Sequence, residues 1–199
     1  QGPSSAELVF SEVALPGDST IPILSVSGTG PNDVWAVGGS MSSSRWPWSW
    51  KGRALHFDGN ASGENSGWSI DPGLPDANVA FSAVLGHPSS GIWVIGQEFD
   101  ENSSMLLAAK VLRRAPGSTS WTTIELPPDA LGDPNYATAR ELSIAALTSG
   151  TGIWLFGMTQ EQTVTGYWRG ASTDGGQTFT WSFTRKRAWD RAMNAFWGT

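Results

Sequence analysis

Apolar residues in this chain fall in short runs broken by clusters of Gly, Pro, Asn, Asp and Ser, and one arrangement of them occurs three times. Leu24-Ser-Val-Ser-Gly-Thr-Gly-Pro-Asn-Asp-Val-Trp-Ala-Val-Gly38 reads as two strands around a tight polar turn. Phe81-Ser-Ala-Val-Leu-Gly-His-Pro-Ser-Ser-Gly-Ile-Trp-Val-Ile-Gly96 repeats the plan, as does Leu142-Ser-Ile-Ala-Ala-Leu-Thr-Ser-Gly-Thr-Gly-Ile-Trp-Leu-Phe-Gly157. The central tryptophans stand at 35, 93 and 154, spaced 58 and 61 residues apart. Self-similarity at such a period marks a repeat architecture.

Each repeat supplies four strands. The first spans 23–27, 81–85 and 142–147, the second 34–38, 92–96 and 153–157, and the third 54–58, 107–113 and 166–172. The first two are nearly continuous apolar runs, as in strands covered on both faces. The fourth opens on an aromatic: Trp68-Ser-Ile-Asp-Pro-Gly-Leu-Pro75, Trp121-Thr-Thr-Ile-Glu-Leu-Pro127 and Trp181-Ser-Phe-Thr-Arg185. A lone relative, Phe10-Ser-Glu-Val-Ala-Leu-Pro16, precedes the first repeat. Proline lacks a donor and ends pairing, so these segments read as outermost strands.

The expected fold is all-β: a β-propeller of about three four-stranded antiparallel blades at 23–75, 81–127 and 142–184, preceded by a lone outer strand at 8–16. Residues 1–7 are set aside as a processed terminus or the remnant of a cleaved tag linker. Over 185–199, Trp189, Ala192, Met193 and Phe196 keep the i, i+3, i+4, i+7 spacing of one helix face, which predicts a short C-terminal helix. Propellers usually have four to eight blades. Three blades therefore imply a partial ring, or one completed by a second copy or by further blades.

Composition supports this reading and narrows the function. Only 15% of residues are charged, while 24 Gly and 12 Trp suit strands and turns better than helices. The net charge of −6, from 12 Lys+Arg and 18 Asp+Glu, argues against nucleic acid or anionic lipid as a partner. With no cysteine, neither a disulfide framework nor a thiolate metal site can form. No apolar run approaches the ~18–20 residues that span a bilayer. The sequons Asn60-Ala-Ser62 and Asn102-Ser-Ser104 read as chance occurrences in a Ser-rich chain.

Ser172-Thr-Asp-Gly-Gly-Gln-Thr-Phe179 fits the pattern Ser-x-Asp-x-Gly-x-Thr-aromatic. Such a segment makes a hairpin turn in which the Asp accepts bonds from turn amides, Gly takes positive φ and the aromatic anchors the turn. The match resembles the Asp-box of BNR-type β-propellers, and Asn32-Asp-Val-Trp-Ala-Val-Gly38 is similar to repeats of secreted bacterial propellers of the BNR and photosystem-assembly-factor kind. The other blades keep less of the box: His56-Phe-Asp-Gly-Asn60 retains Asp-Gly, and Leu112-Arg-Arg-Ala-Pro-Gly117 only Gly. The resemblance covers roughly residues 8–184. It implies a secreted, periplasmic or cell-surface bacterial protein. It also implies a structural role for Ser172, Asp174, Gly176, Thr178 and Phe179, on the face opposite the binding site.

The loops joining second to third strands, with those joining fourth to first, then form the candidate functional face. In blade one, Ser42-Ser-Ser-Arg-Trp-Pro-Trp-Ser-Trp-Lys51 places Trp46, Trp48 and Trp50 on one side of an extended chain, flanked by Arg45 and Lys51. They either cover apolar surface within the domain or form a platform for a sugar ring or a protein. In blade two the loop is acidic, with Glu98, Asp100 and Glu101. A Ca²⁺ site would need six or more oxygens there, so a solvated cluster is the simpler reading. In blade three, Gln160, Glu161 and Gln162 carry little information.

A sialidase would require an arginine triad and a Tyr/Glu nucleophile pair. The chain has only Tyr136 and Tyr167, and Arg113, Arg114, Arg140 and Arg169 show no convergent placement. His56 and His87 have no Ser, Cys or metal partner at a recognisable spacing and read as structural. The expected function is a non-catalytic module that binds a protein or glycan and needs no cofactor. The alternative is part of an Asp-box glycoside hydrolase, sialidase-like or glucanase-like, with a carboxylate-lined cleft.

Overall fold

A computed structural model describes residues 12–41, 49–61, 67–75, 77–103, 105–161 and 164–186. Among them the chain is all-β without a helix, and its strands form three four-stranded antiparallel sheets. Sheet 1 comprises β1 (Ser25–Gly30), β2 (Asp33–Met41), β3 (Trp50–Asp58) and β4 (Trp68–Ile70). Sheet 2 comprises β5 (Val79–His87), β6 (Gly91–Phe99), β7 (Leu106–Arg114) and β8 (Thr122–Thr123). Sheet 3 comprises β9 (Ala139–Thr148), β10 (Gly152–Thr159), β11 (Thr165–Ala171) and β12 (Thr180–Lys186). Each is a meander in chain order. The second-to-third loops and the connectors between sheets therefore share one end, and the remaining turns share the other.

Register assigns each residue to a face. Trp35, Val37 and Ala54 pack against Val84, Ile92, Val94 and Leu112 in a core between sheets 1 and 2. The opposite face of sheet 2 sends Trp93, Ile95 and Val111 against Ile153, Leu155 and Trp168 of sheet 3. Sheet 2 is thus the middle layer, and the first six residues of β6 are all buried. That is why its second strand is an unbroken apolar run. At the inner edge, the Ser25 and Ser27 hydroxyls accept the amides of Val84 and Gly86, each at 3.0 Å, and tie β1 to β5.

The repeated tryptophans occupy matched places. Trp35, Trp93 and Trp154 lie opposite His56, Arg113 and Arg169 on the third strands. The fourth-strand tryptophan of the next sheet meets the first two edge-on: Trp121 lies 5.2 Å from Trp35 and Trp181 lies 6.0 Å from Trp93. The glycine closing each motif has a steric cause. A Cβ on Gly38 or Gly157 would fall 1.8 or 1.9 Å from the carbonyl oxygen of Pro22, just ahead of β1, or of Glu141 in β9.

Two expectations change. Of the lone outer strand, the described residues Glu12–Pro16 form no strand. No sheet edge pairs with them, and the Leu15 and Pro16 carbonyls instead accept from the buried Arg53 guanidinium at 3.2 and 2.5 Å. Of the tail expected to be helical, the described Arg185 and Lys186 belong to β12 and pair across to Gly166 and Thr165. Residues 187–199, with Trp189, Ala192, Met193 and Phe196, lie outside the described residues, as does 1–7.

Candidate binding site

At the end carrying the second-to-third loops, the connectors between sheets are bonded into the loops themselves. The Asn78 amide donates to the Trp50 carbonyl and the Phe99 amide to the Asn78 carbonyl, both at 2.8 Å, so one residue couples sheet 1 to sheet 2. Gln160 and Glu161 donate their amides to the Thr138 and Tyr136 carbonyls at 3.0 and 3.2 Å, and the Gln160 side chain reaches the Leu107 carbonyl. Beneath this connector, the buried Asp129 carboxylate accepts from the Arg185 Nε at 2.6 Å and from the Leu131 amide at 3.0 Å. Bonds of this density make a firm floor, which a contact surface needs to avoid an ordering cost.

Apolar side chains project from that floor. Met41, Met105, Leu107 and Tyr136 are exposed there, and Leu131 is 81% exposed. Met and Tyr are enriched where proteins meet partners. Between sheets 2 and 3 a groove of about 270 Å³ is lined by Glu98, Lys110, Glu125, Leu126 and Thr138 among others.

The expected site residues divide. Trp50 is half-buried and stacked on Phe99, ring centroids 4.2 Å apart and 11° from parallel. One of its faces is therefore occupied by sheet 2. Lys51 is exposed and bridges to Ala77. Arg45, Trp46 and Trp48 lie outside the described residues. Glu98 pairs with Lys110 at 3.3 Å. Asp100 folds back on its own turn, accepting from the Ser103 hydroxyl and from the Ser103 and Asn102 amides at 2.8, 2.7 and 2.9 Å. The Ser103 hydroxyl first, and then these amides, hold its carboxyl below the usual range. Glu101 is exposed on the same turn. Among the described residues, no three His, Cys, Asp or Glu side chains are grouped to hold a metal ion.

The opposite end is built from turn chemistry. Asp174 accepts the Gln177 amide at 2.9 Å, the Thr178 amide at 3.0 Å and the Ser172 hydroxyl at 2.7 Å, while Ser172 accepts the Gly176 amide. Gly175 and Gly176 take φ of 78° and 96°. The Thr178 hydroxyl, followed by the Thr178 amide and the Ser172 hydroxyl, holds the Asp174 carboxyl far below its usual range. Phe179 meets Trp93 edge-on at 4.9 Å. Ser172, Asp174, Gly176, Thr178 and Phe179 thus form and anchor the turn between β11 and β12.

Sequence reading missed the arginines of this end. Arg113 lies over Trp93 and Phe179 and donates to the carbonyls of Gly176 at 2.6 Å, Gln177 at 2.7 Å and Ser90 at 3.1 Å. It clamps sheet 2 to the Asp-box of sheet 3. Arg114 covers Trp35 and pairs with Asp71 at 3.5 Å, and the Trp121 indole N–H reaches the same carboxylate. His56 pairs with an aspartate. Its Nε2 donates to Asp33 Oδ1 at 2.8 Å and its ring stacks on Trp35. Thr29 and the Trp35 indole N–H also bond Asp33. Burial raises the Asp33 carboxyl, yet the bonds from Thr29, His56 and Trp35 together outweigh it and leave the group below its ordinary value. Only the hairpin register brings these residues together, and nothing in their spacing announces it.

No family model, curated protein or solved structure matches the chain, so the likeness to Asp-box propellers rests on its own residues. No helix among the described residues is long and apolar enough to cross a membrane.

Proposed function

We propose that the three sheets are blades of a β-propeller and that the chain is a non-catalytic, extracytoplasmic binding module working through its second-to-third loops. One observation carries the reading. The connectors and loops at that end are hydrogen-bonded into a single floor from which Met41, Met105, Leu107, Leu131 and Tyr136 project. A firm apolar surface with a polar rim is the chemistry of a protein contact. A sugar ring needs an open indole face, and Phe99 occupies one face of Trp50, so the described residues favour a protein over a glycan. The acidic loop supports the non-catalytic reading, since Glu98 is ion-paired and Asp100 is committed to its turn.

The test sets the chain against an extracytoplasmic extract and a panel of immobilised glycans. The expected result is a protein retained by the native chain and lost by the Met105→Asp, Leu107→Asp double variant. Retention on a glycan, lost in Trp50→Ala, would replace the protein by a sugar. Glycan hydrolysis abolished by one carboxylate change would overturn the non-catalytic reading.

A further inference from the structure

The third strands differ in what lies along their outer edge. Gly52, Ala109 and Thr165 are equivalent, each four places before the residue opposite a repeated tryptophan. In sheet 3 the fourth strand covers this place: β12 contains no proline, and Lys186 pairs with Thr165. In sheet 1 the short connector covers it, since Lys51 bridges to Ala77 and the Asn78 amide bonds the Trp50 carbonyl.

In sheet 2 the edge is bare. β8 pairs only with Leu112 and Arg113, and the last ladder bond runs from the Ile124 amide to the Val111 carbonyl at 2.9 Å. Pro127 has no donor, and its carbonyl accepts the Trp168 indole N–H at 2.8 Å, which draws the chain across to sheet 3. The connector that follows closes on itself, with the Asp129 amide bonded to the Ala137 carbonyl. Val111 presents its carbonyl to the β8 side, and strand alternation turns the N–H and C=O of Ala109 the same way. Among the described residues neither group meets a partner on that side. At Leu107 the Gln160 side chain stands in for a strand, donating to the carbonyl at 3.2 Å.

The groove of about 270 Å³ lies at this edge. Ala108 and Lys110 line it on the face of β7 towards sheet 1, and Ala109 and Val111 on the face towards sheet 3. The space therefore straddles the strand, in the plane where β8 would have continued. Leu126 and Ala139 form its apolar wall. An unpaired edge is a template for another extended chain. With β8 at one end and Gln160 at the other, the gap admits a narrow extended segment and not the edge of a second folded sheet. Its rim is acidic: Glu98 is shared with Lys110, and Glu125 is exposed with no ion pair among the described residues.

From this we infer that the partner adds an extended segment to β7 at Ala109, antiparallel as β12 is to β11, with its backbone bonded to both groups of Ala109. The partner residue opposite Ala109 is apolar and turns to Leu126 and Ala139. A neighbouring Lys or Arg meets Glu98 and Glu125. Met105 and Leu107 stand where β7 begins, so the inference rests on the protein-contact reading above and names the form in which the partner arrives.

The probe is a displayed library of short linear peptides selected on the full chain. Selection is expected to return an apolar residue next to Lys or Arg. Hydrogen exchange at the Ala109 amide should be fast in the free chain and slow with peptide bound. Ala109→Pro removes a donor that serves no ladder bond, so it should weaken the peptide at least about tenfold and leave the thermal midpoint nearly unchanged. Methylating the peptide amide that faces Ala109 should do the same without altering the chain, whereas methylating the next amide, which points away, should not. Peptides that leave Ala109 unprotected, or tolerate Ala109→Pro and both methylations, overturn the inference. So does an Ala109 amide already protected in the free chain, because another part of the chain then lies there. An extract protein lost by Met105→Asp with Leu107→Asp but unmoved by Ala109→Pro keeps the protein contact and removes the strand addition. Neither a selected peptide nor a retained protein removes both.

Discussion

Val84 and Val26 hold the same place in successive repeats, opposite Val94 on β6 and Ala36 on β2. Val84 is 1% exposed and Val26 59%. Chemistry and register are alike, but the surroundings differ: Val84 lies in the core between sheets 1 and 2, and Val26 lies at an exposed place on the other face of sheet 1. The arginines tell the same story. Arg113 over Trp93 is bonded to the carbonyls of sheet 3, whereas Arg169 over Trp154 is exposed. What a position contributes depends on what packs against it.

The sharpest way to break this comparison is to place a carboxylate at both valines. Val84→Asp buries a charge between two apolar faces and is expected to cost at least about 3 kcal/mol, a large share of a domain's stability. Val26→Asp is expected to stay within about 0.5 kcal/mol of the native chain in unfolding of the monomer. Equal losses in denaturant titrations would show that the layers are not different.

Next in size is the arginine pair. Arg113→Ala removes a charged donor from three carbonyls and is expected to cost about 1.5–3 kcal/mol. Arg169→Ala should cost the monomer about 0.5 kcal/mol or less, as exposed substitutions do. The same titrations decide.

A smaller effect depends on pH. The folded-state pKa of Asp33 lies below its ordinary value of 3.8. The stability it contributes is therefore complete above that value, and it is lost as pH falls through the lower folded one. Asp33→Asn should flatten the acid limb of the unfolding midpoint against pH, and an unchanged limb would refute the network around Trp35. Smallest is the turn at Asp174, whose side chain is exposed. Asp174→Ala should speed amide exchange at Gln177 and Thr178, which donate to it, while amides of β6 stay protected. Slow exchange at Gln177 and Thr178 in the variant would mean that backbone geometry alone holds the turn.

The site was less legible than the fold. Trp50 stood out as one of three alternating indoles, but that its ring would lie on Phe99, 49 residues away in sequence, depends on how sheet 1 meets sheet 2. Glu98, Asp100 and Glu101 read as a cluster because they are adjacent. In the fold Glu98 turns to Lys110 on the next strand and Asp100 to its own loop. The exposed Met105, Leu107 and Leu131 carried no motif, since an apolar residue in a loop or at the start of a strand reads the same whether covered or bare.

The sequence by itself determined the repeat, the strand-turn grammar and the hairpin turn from Ser172 to Phe179. These follow from local forces: β propensity, alternation along a strand and the φ that glycine allows. Tertiary structure alone decided which faces are covered, which arginine finds carbonyls and which aspartate meets His56. Each of those depends on register and stacking between segments far apart in the chain. It also denied Glu12–Pro16 a strand and gave Arg185 one, because a strand exists only where an edge is there to pair with it.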